Sequence, residues 1–223
     1  MKKNILFIEL LALFFLILLP AITKLPEQTT TIKISFGFSS LFSACMGIFL
    51  YAQSRLFFEK PAEKKQKQHN IIIFCLTFFA LCLSSRIIFF LFCLIKNTPN
   101  TVLAETPAGI FEQVSLILSV IIAALYEESL FRIFLPNALI ELFELFSPVS
   151  HLSRQKKICR IIVEIAVICL FALAHRYLGL PAVLNALFCG IILRICFILT
   201  GSIFIPVIAH SAYNLLAIMM TII

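Results

Sequence analysis

Residues 110–134 read IFEQVSLILSVIIAALYEESLFRIF, an almost wholly apolar run that is broken late by Glu127, Glu128 and Arg132. About 20 mostly apolar residues suffice for a helix to cross the hydrocarbon core of a bilayer, so the run reads as a membrane span. An ionisable group inside such a span costs about 2.5–3.5 kcal/mol on insertion scales. Three of them within six residues therefore call for partners or for a function.

Similar apolar runs lie on both sides, at Ile5 to Ile22, Ile34 to Leu56, Ile71 to Ile95, Ile158 to Leu173, Pro181 to Leu199 and Ser202 to Ile223. The chain is 61% hydrophobic and 13% charged, with a mean hydropathy of +1.08, whereas a soluble domain carries about 25% charged residues. The expected fold is all-α, a polytopic transmembrane helix bundle of about seven spans. Residues 1–108 supply about three N-terminal transmembrane helices and residues 109–223 a second helical unit. Met1-Lys2-Lys3 before the first run resembles the start of a signal peptide, but the run is long and Lys24-Leu25-Pro26-Glu27 follows it instead of a small-residue cleavage site. A retained first span is expected. The fourth run continues past Pro136 to Phe146, too far for one simple span, which predicts a bend at the proline and a partly separate interfacial helix over Leu139 to Phe146, with Glu141 and Glu144 in water.

The net charge of +7 comes from basic residues in short clusters between the apolar runs, where they act as topology signals and not as a nucleic-acid surface. With the N-terminus in the cytoplasm, Lys2, Lys3 and the loops around Lys64 and Lys156 place eleven basic residues inside, against Lys24, Lys33, Lys96 and Arg176 outside. All eleven acidic residues are Glu. None of the eight cysteines forms a CxxC pair, so they read as small buried hydrophobes and not as a disulfide framework or thiolate zinc site.

Polar groups inside the other spans are few. Glu128 and Arg132 are four apart and share a helical face, which permits an ion pair and leaves Glu127, about 100 degrees round the helix, free for chemistry. The alternative is that all three form one structural charge cluster. His210 and Asn214 are also four apart, a donor pair on one face, and Phe171 stands by the same spacing beside His175. Glu9, Arg86, Glu112, Glu164 and Arg194 lie toward span ends or where they can pair across helices, and are read as structural.

Three patterns in order, EExxxR at Glu127 to Arg132, FxxxH at Phe171 to His175 and HxxxN at His210 to Asn214, resemble the CPBP family of CAAX proteases and bacteriocin-processing enzymes, also called the Abi family. The resemblance covers about residues 110–223. Ile133 stands where many members have Gly. The resemblance implies an intramembrane endopeptidase with its active site buried inside the bundle and residues 109–223 as its catalytic core. It implies Glu127 as the base for the attacking water, His175 helping to orient that water, and His210 and Asn214 as donors to the oxyanion. Glu128, Arg132 and Phe171 would support them. The expected substrate is a membrane-associated or lipidated peptide, and the expected location an integral one, in a bacterial inner membrane.

One Glu and two His could also furnish zinc ligands, Glu127, His175 and His210, although there is no HExxH. Metal-independent glutamate catalysis is favoured, because an Asn beside the second His is better explained as an oxyanion donor than as a ligand. Two other readings remain: a noncatalytic self-immunity or scaffold protein, and a proton or cation transporter that uses the same polar groups. A depth estimate opposes a shared site. At 1.5 Å per residue His175 lies about 25 Å from Ile158 and His210 only about 12 Å from Ser202, so the fifth helix should start later, near Val163, or be steeply tilted. Single cysteines introduced at Lys65 and Asn100 should label from opposite sides of a sealed membrane, and labelling of both from one side would refute the predicted topology.

Overall fold

The computed structural model describes residues 2–23, 31–32, 36–58, 69–96, 103–104, 107, 109–146 and 153–222. Lys24 to Glu27, the Lys-rich segment 59–68 and Asn100 fall outside them. Seven helical rods form, one for each apolar run: α1 (2–23), α2 (Phe38–Phe57), α3 (Asn70–Lys96), α4 (110–146), α5 (Ser153–Leu173), α6 (Leu180–Thr200) and α7 (Phe204–Ile222). The fold is an all-α bundle; Thr31–Ile32 and Leu103–Ala104 add one short parallel backbone pairing. By length and composition Asn70–Ile95, Ile110–Glu144 and Leu180–Thr200 can each cross a membrane, and Phe204–Met220 is a shorter apolar helix. Large apolar side chains such as Phe79, Phe90 and Ile198 point outward, as expected where hydrocarbon rather than water is the surrounding medium.

The rod α4 is central, packing against α1, α2, α5 and α7, while α3 packs on α6 and α7. Its contact with α2 is close because the facing residues are small. Ser40 and Ser119 share a hydrogen bond of 3.2 Å, and a Cβ on Gly47 would lie 3.0 Å from the Cα of Tyr126. Small residues let membrane helices approach in this way, and here the contact abuts the residue before Glu127.

The predicted break in α4 is displaced. A wide π-type turn occupies Ser129–Phe134, ahead of Pro136, and the helix resumes over Leu135–Phe146 without a separate start at Leu139. Pro136 has no N–H to donate to the carbonyl four residues back, which is that of Arg132. Arg194 Nη1 donates to that carbonyl at 2.7 Å, and Asn137 Nδ2 donates to the Ile133 carbonyl at 2.8 Å. Glu141 and Glu144 are exposed as expected, and Glu144 lies 3.6 Å from Lys156.

Two further expectations are corrected. The fifth helix begins at Ser153 and not near Val163, while Glu164 pairs across helices with Arg194 as a structural residue. Only Cys189 and Cys196 are buried among the cysteines; Cys45, Cys75 and Cys169 are exposed, because several apolar runs turn those faces out of the bundle. Gly47→Ala should lower stability by about 1–3 kcal/mol through overpacking, read as thermal unfolding in detergent. Gly37→Ala, where an added Cβ meets nothing within 4 Å, should show no overpacking and only the N-cap cost of about 0.5–1 kcal/mol.

Candidate active site

The helical spacing in α4 puts Glu128 and Arg132 on one inward face, and both side chains are wholly buried. Arg132 Nε donates to Glu128 Oε2 at 2.9 Å and Nη2 to Oε1 at 3.4 Å. From α7, His210 Nδ1 lies 3.1 Å from Glu128 Oε1. The ionised carboxylate can only accept, so Nδ1 carries the proton. Glu128 is therefore held by two elements at once. A buried ion pair is tolerable only with such additional hydrogen bonds.

Glu127 is differently placed. Its side chain keeps 26% of its exposure, Oε2 has no hydrogen-bond partner, and that oxygen lies 3.8 Å from His210 Nε2. The pair expected from spacing is observed for Glu128, while the buried Oε2 of Glu127 makes no hydrogen bond and meets only the more distant His210 imidazole.

Phe171 from α5 is the surface on which the other groups meet. Its ring carries the Arg132 guanidinium at 4.9 Å, touches Phe131 at 5.2 Å, and contacts the imidazoles of His175 and His210 edge-on at 5.0 and 6.2 Å. Those two contacts keep the imidazole centroids within about 11 Å of each other, close enough for one substrate to touch both. Space for the ring comes from α6, where a Cβ on Gly190 would stand 3.2 Å from Phe171 Cδ1. The histidines share a neighbourhood even though the later helix start proposed to bring them together does not occur.

His175 lies just past the end of α5. Its backbone N–H bonds to Ala172, three residues back, which leaves the Phe171 carbonyl open, and His175 Nδ1 takes that place at 2.9 Å. A carbonyl only accepts, so His175 carries its proton on Nδ1 and presents Nε2 as a lone pair. Asn214 is partly buried one turn along α7 from His210 and on the same face. The structure thus joins Glu127, Glu128, Arg132, Phe171, His175 and His210 by contact and sets Asn214 in register beside them.

Sequence reasoning missed how Arg194 and Gly190 take part. Arg194 pairs with Glu164 while capping the Arg132 carbonyl, so it braces the turn that carries the site. The signal was present in Pro136, whose position four after Arg132 guarantees an orphan carbonyl. Gly190 had no comparable signal, since its neighbour is known only in three dimensions. Among the described residues no three His, Cys, Asp or Glu side chains are gathered so as to hold a metal ion.

Glu127→Gln should cost less than the neighbouring change, because Oε2 makes no hydrogen bond and lies 3.8 Å from His210 Nε2. Glu128→Gln should cost about 3–5 kcal/mol, since an amide nitrogen would face Arg132 in a buried ion pair. Thermal unfolding of both variants distinguishes them, and equal losses would refute the division of roles.

The geometry has a match among known families. The model of the type II CAAX prenyl endopeptidase Rce1-like family matches residues 109–216, which include all three motifs. Comparisons with curated proteins and with solved structures returned no match. That family is one of intramembrane endopeptidases, and the apolar helices agree with an integral membrane protein. Residues 109–216 are thus an Rce1-like type II CAAX prenyl endopeptidase domain, in agreement with the CPBP/CAAX protease family that the three motifs resemble.

Proposed function

We propose that the protein hydrolyses a peptide bond near the C-terminus of a membrane-associated, prenylated peptide, using water activated by Glu127. The observation that carries this reading is the partly exposed Glu127 side chain, whose buried Oε2 makes no hydrogen bond and stands beside His210 Nε2. Glu127 takes a proton from water while His175 Nε2 accepts a hydrogen bond from the same water. The hydroxide adds to the scissile carbonyl. The resulting oxyanion faces His210 Nε2 and the Asn214 amide, and as the C–N bond breaks, the proton held by Glu127 passes to the leaving amine. Preorganised donors of this kind are worth most where water is scarce.

The pairing at Nδ1 sets a condition on His210. With one proton committed to Glu128, Nε2 can donate to the oxyanion only when the ring carries a second proton. Glu128, Glu127 and Arg132 then surround an imidazolium with two negative charges and one positive, which leaves the group neutral as a whole. Substrate entry from an inner membrane with a cytoplasmic N-terminus is the topology that the distribution of basic residues supports.

Purified protein should cleave fluorogenic, membrane-tethered prenyl peptides, and Glu127→Gln should lower kcat by about 10²–10⁴-fold. His210→Ala should lose about 10²–10³-fold. A membrane-permeant chelator should leave turnover intact. Loss on chelation with recovery on adding zinc would overturn the metal-free route, and flux of protons or cations abolished by Glu127→Gln would favour transport instead.

A further inference from the structure

Where α6 gives way to α7, the bundle holds a cavity of about 910 Å³ whose lining does not include Glu127, His175 or His210. Five cationic side chains line it, Arg55, Arg132, Lys156, Arg160 and Arg194, against the carboxylates of Glu141, Glu144 and Glu164. Two of those carboxylates are engaged, Glu164 by Arg194 and Glu144 by Lys156. The cavity therefore carries an excess of positive charge.

Its donors are also incompletely used. Arg132 Nη1 and Arg194 Nε are buried without a hydrogen-bond partner, and the Arg132 side chain is wholly buried. Neither atom reaches the surface of the cavity, so both add positive charge behind its lining, while the Arg55 and Arg160 side chains are exposed. The planar guanidinium fork matches the oxygens of a phosphate.

The surroundings indicate where such a phosphate would come from. A groove of about 610 Å³ shares Ile140, Glu144, Lys156 and Arg160 with the cavity and runs on past Phe143, Ile158 and Ile162. Those last three side chains are about half exposed and apolar. A headgroup in the cavity would leave its acyl chain along this wall. We propose that the cavity binds the phosphate of an anionic phospholipid, with Arg55 and Arg160 donating to its oxygens and Arg132 and Arg194 supplying charge from behind them. Basic pockets between helices are suited to this role in membranes. The site is separate from peptide hydrolysis and stands whether or not the protein cleaves a peptide.

Native mass spectrometry of the purified full-length protein tests it with dioctanoyl phosphatidylglycerol, dioctanoyl phosphatidylcholine and inorganic phosphate. Phosphatidylglycerol should bind at least about tenfold more tightly than either of the others, and Arg55→Gln combined with Arg160→Gln should remove most of that preference. Both arginines are exposed, so the fold should tolerate the change. Glu141→Gln, which deletes an exposed carboxylate from the lining, should tighten phosphatidylglycerol several-fold. Equal binding of the two lipids, a preference that survives the double substitution, or inorganic phosphate bound as tightly as the lipid would each overturn the proposal.

Discussion

The buried clamp between Arg132 and Glu128 is the constraint on which the rest of the site depends. Two charges in the middle of an apolar bundle are tolerable only while paired and hydrogen-bonded. Glu128 uses both oxygens on Arg132 and one of them again on His210, so satisfying this pair also fixes α7 against α4. Arg132 in turn lies over Phe171, which ties in α5. The polar residues that would otherwise be a liability thus set the relative position of three helices.

The local backbone follows from the same requirement. A wide turn over Ser129–Phe134 and the missing donor of Pro136 would leave a carbonyl exposed in a water-poor interior. Arg194 supplies the donor and is itself neutralised by Glu164 on α5. Glu127, one residue before the clamp, is left without a hydrogen bond at Oε2 and has only the His210 imidazole beside it at 3.8 Å. A second consequence is that one Arg132 guanidinium nitrogen remains buried and unsatisfied, in a residue that also borders a cationic cavity.

Much of this was legible in the sequence because membrane spans make polar residues conspicuous. Seven apolar runs gave seven helical rods, and the spacing of Glu128 with Arg132 predicted their pair. Counting residues along α5 and α7 set the two histidines apart because it says nothing of how the helices are offset, whereas both imidazoles contact Phe171. The break at Pro136 was read one turn late because a proline acts on the carbonyl four residues before it. Burial of the cysteines was overestimated, since an apolar residue in a bilayer needs no protein neighbour. Gly47 and Gly190 carry close approaches that no linear pattern reveals.

The most direct measurement of the clamp is the ¹⁵N NMR spectrum of histidine-labelled protein in bilayers, which four histidines make tractable. His210 should show a protonated Nδ1 hydrogen-bonded to a carboxylate, and Glu128→Gln should shift the His210 signals while leaving those of His175 in place. A bare Nδ1 on His210, or His210 signals indifferent to Glu128→Gln, would contradict a site organised by that contact.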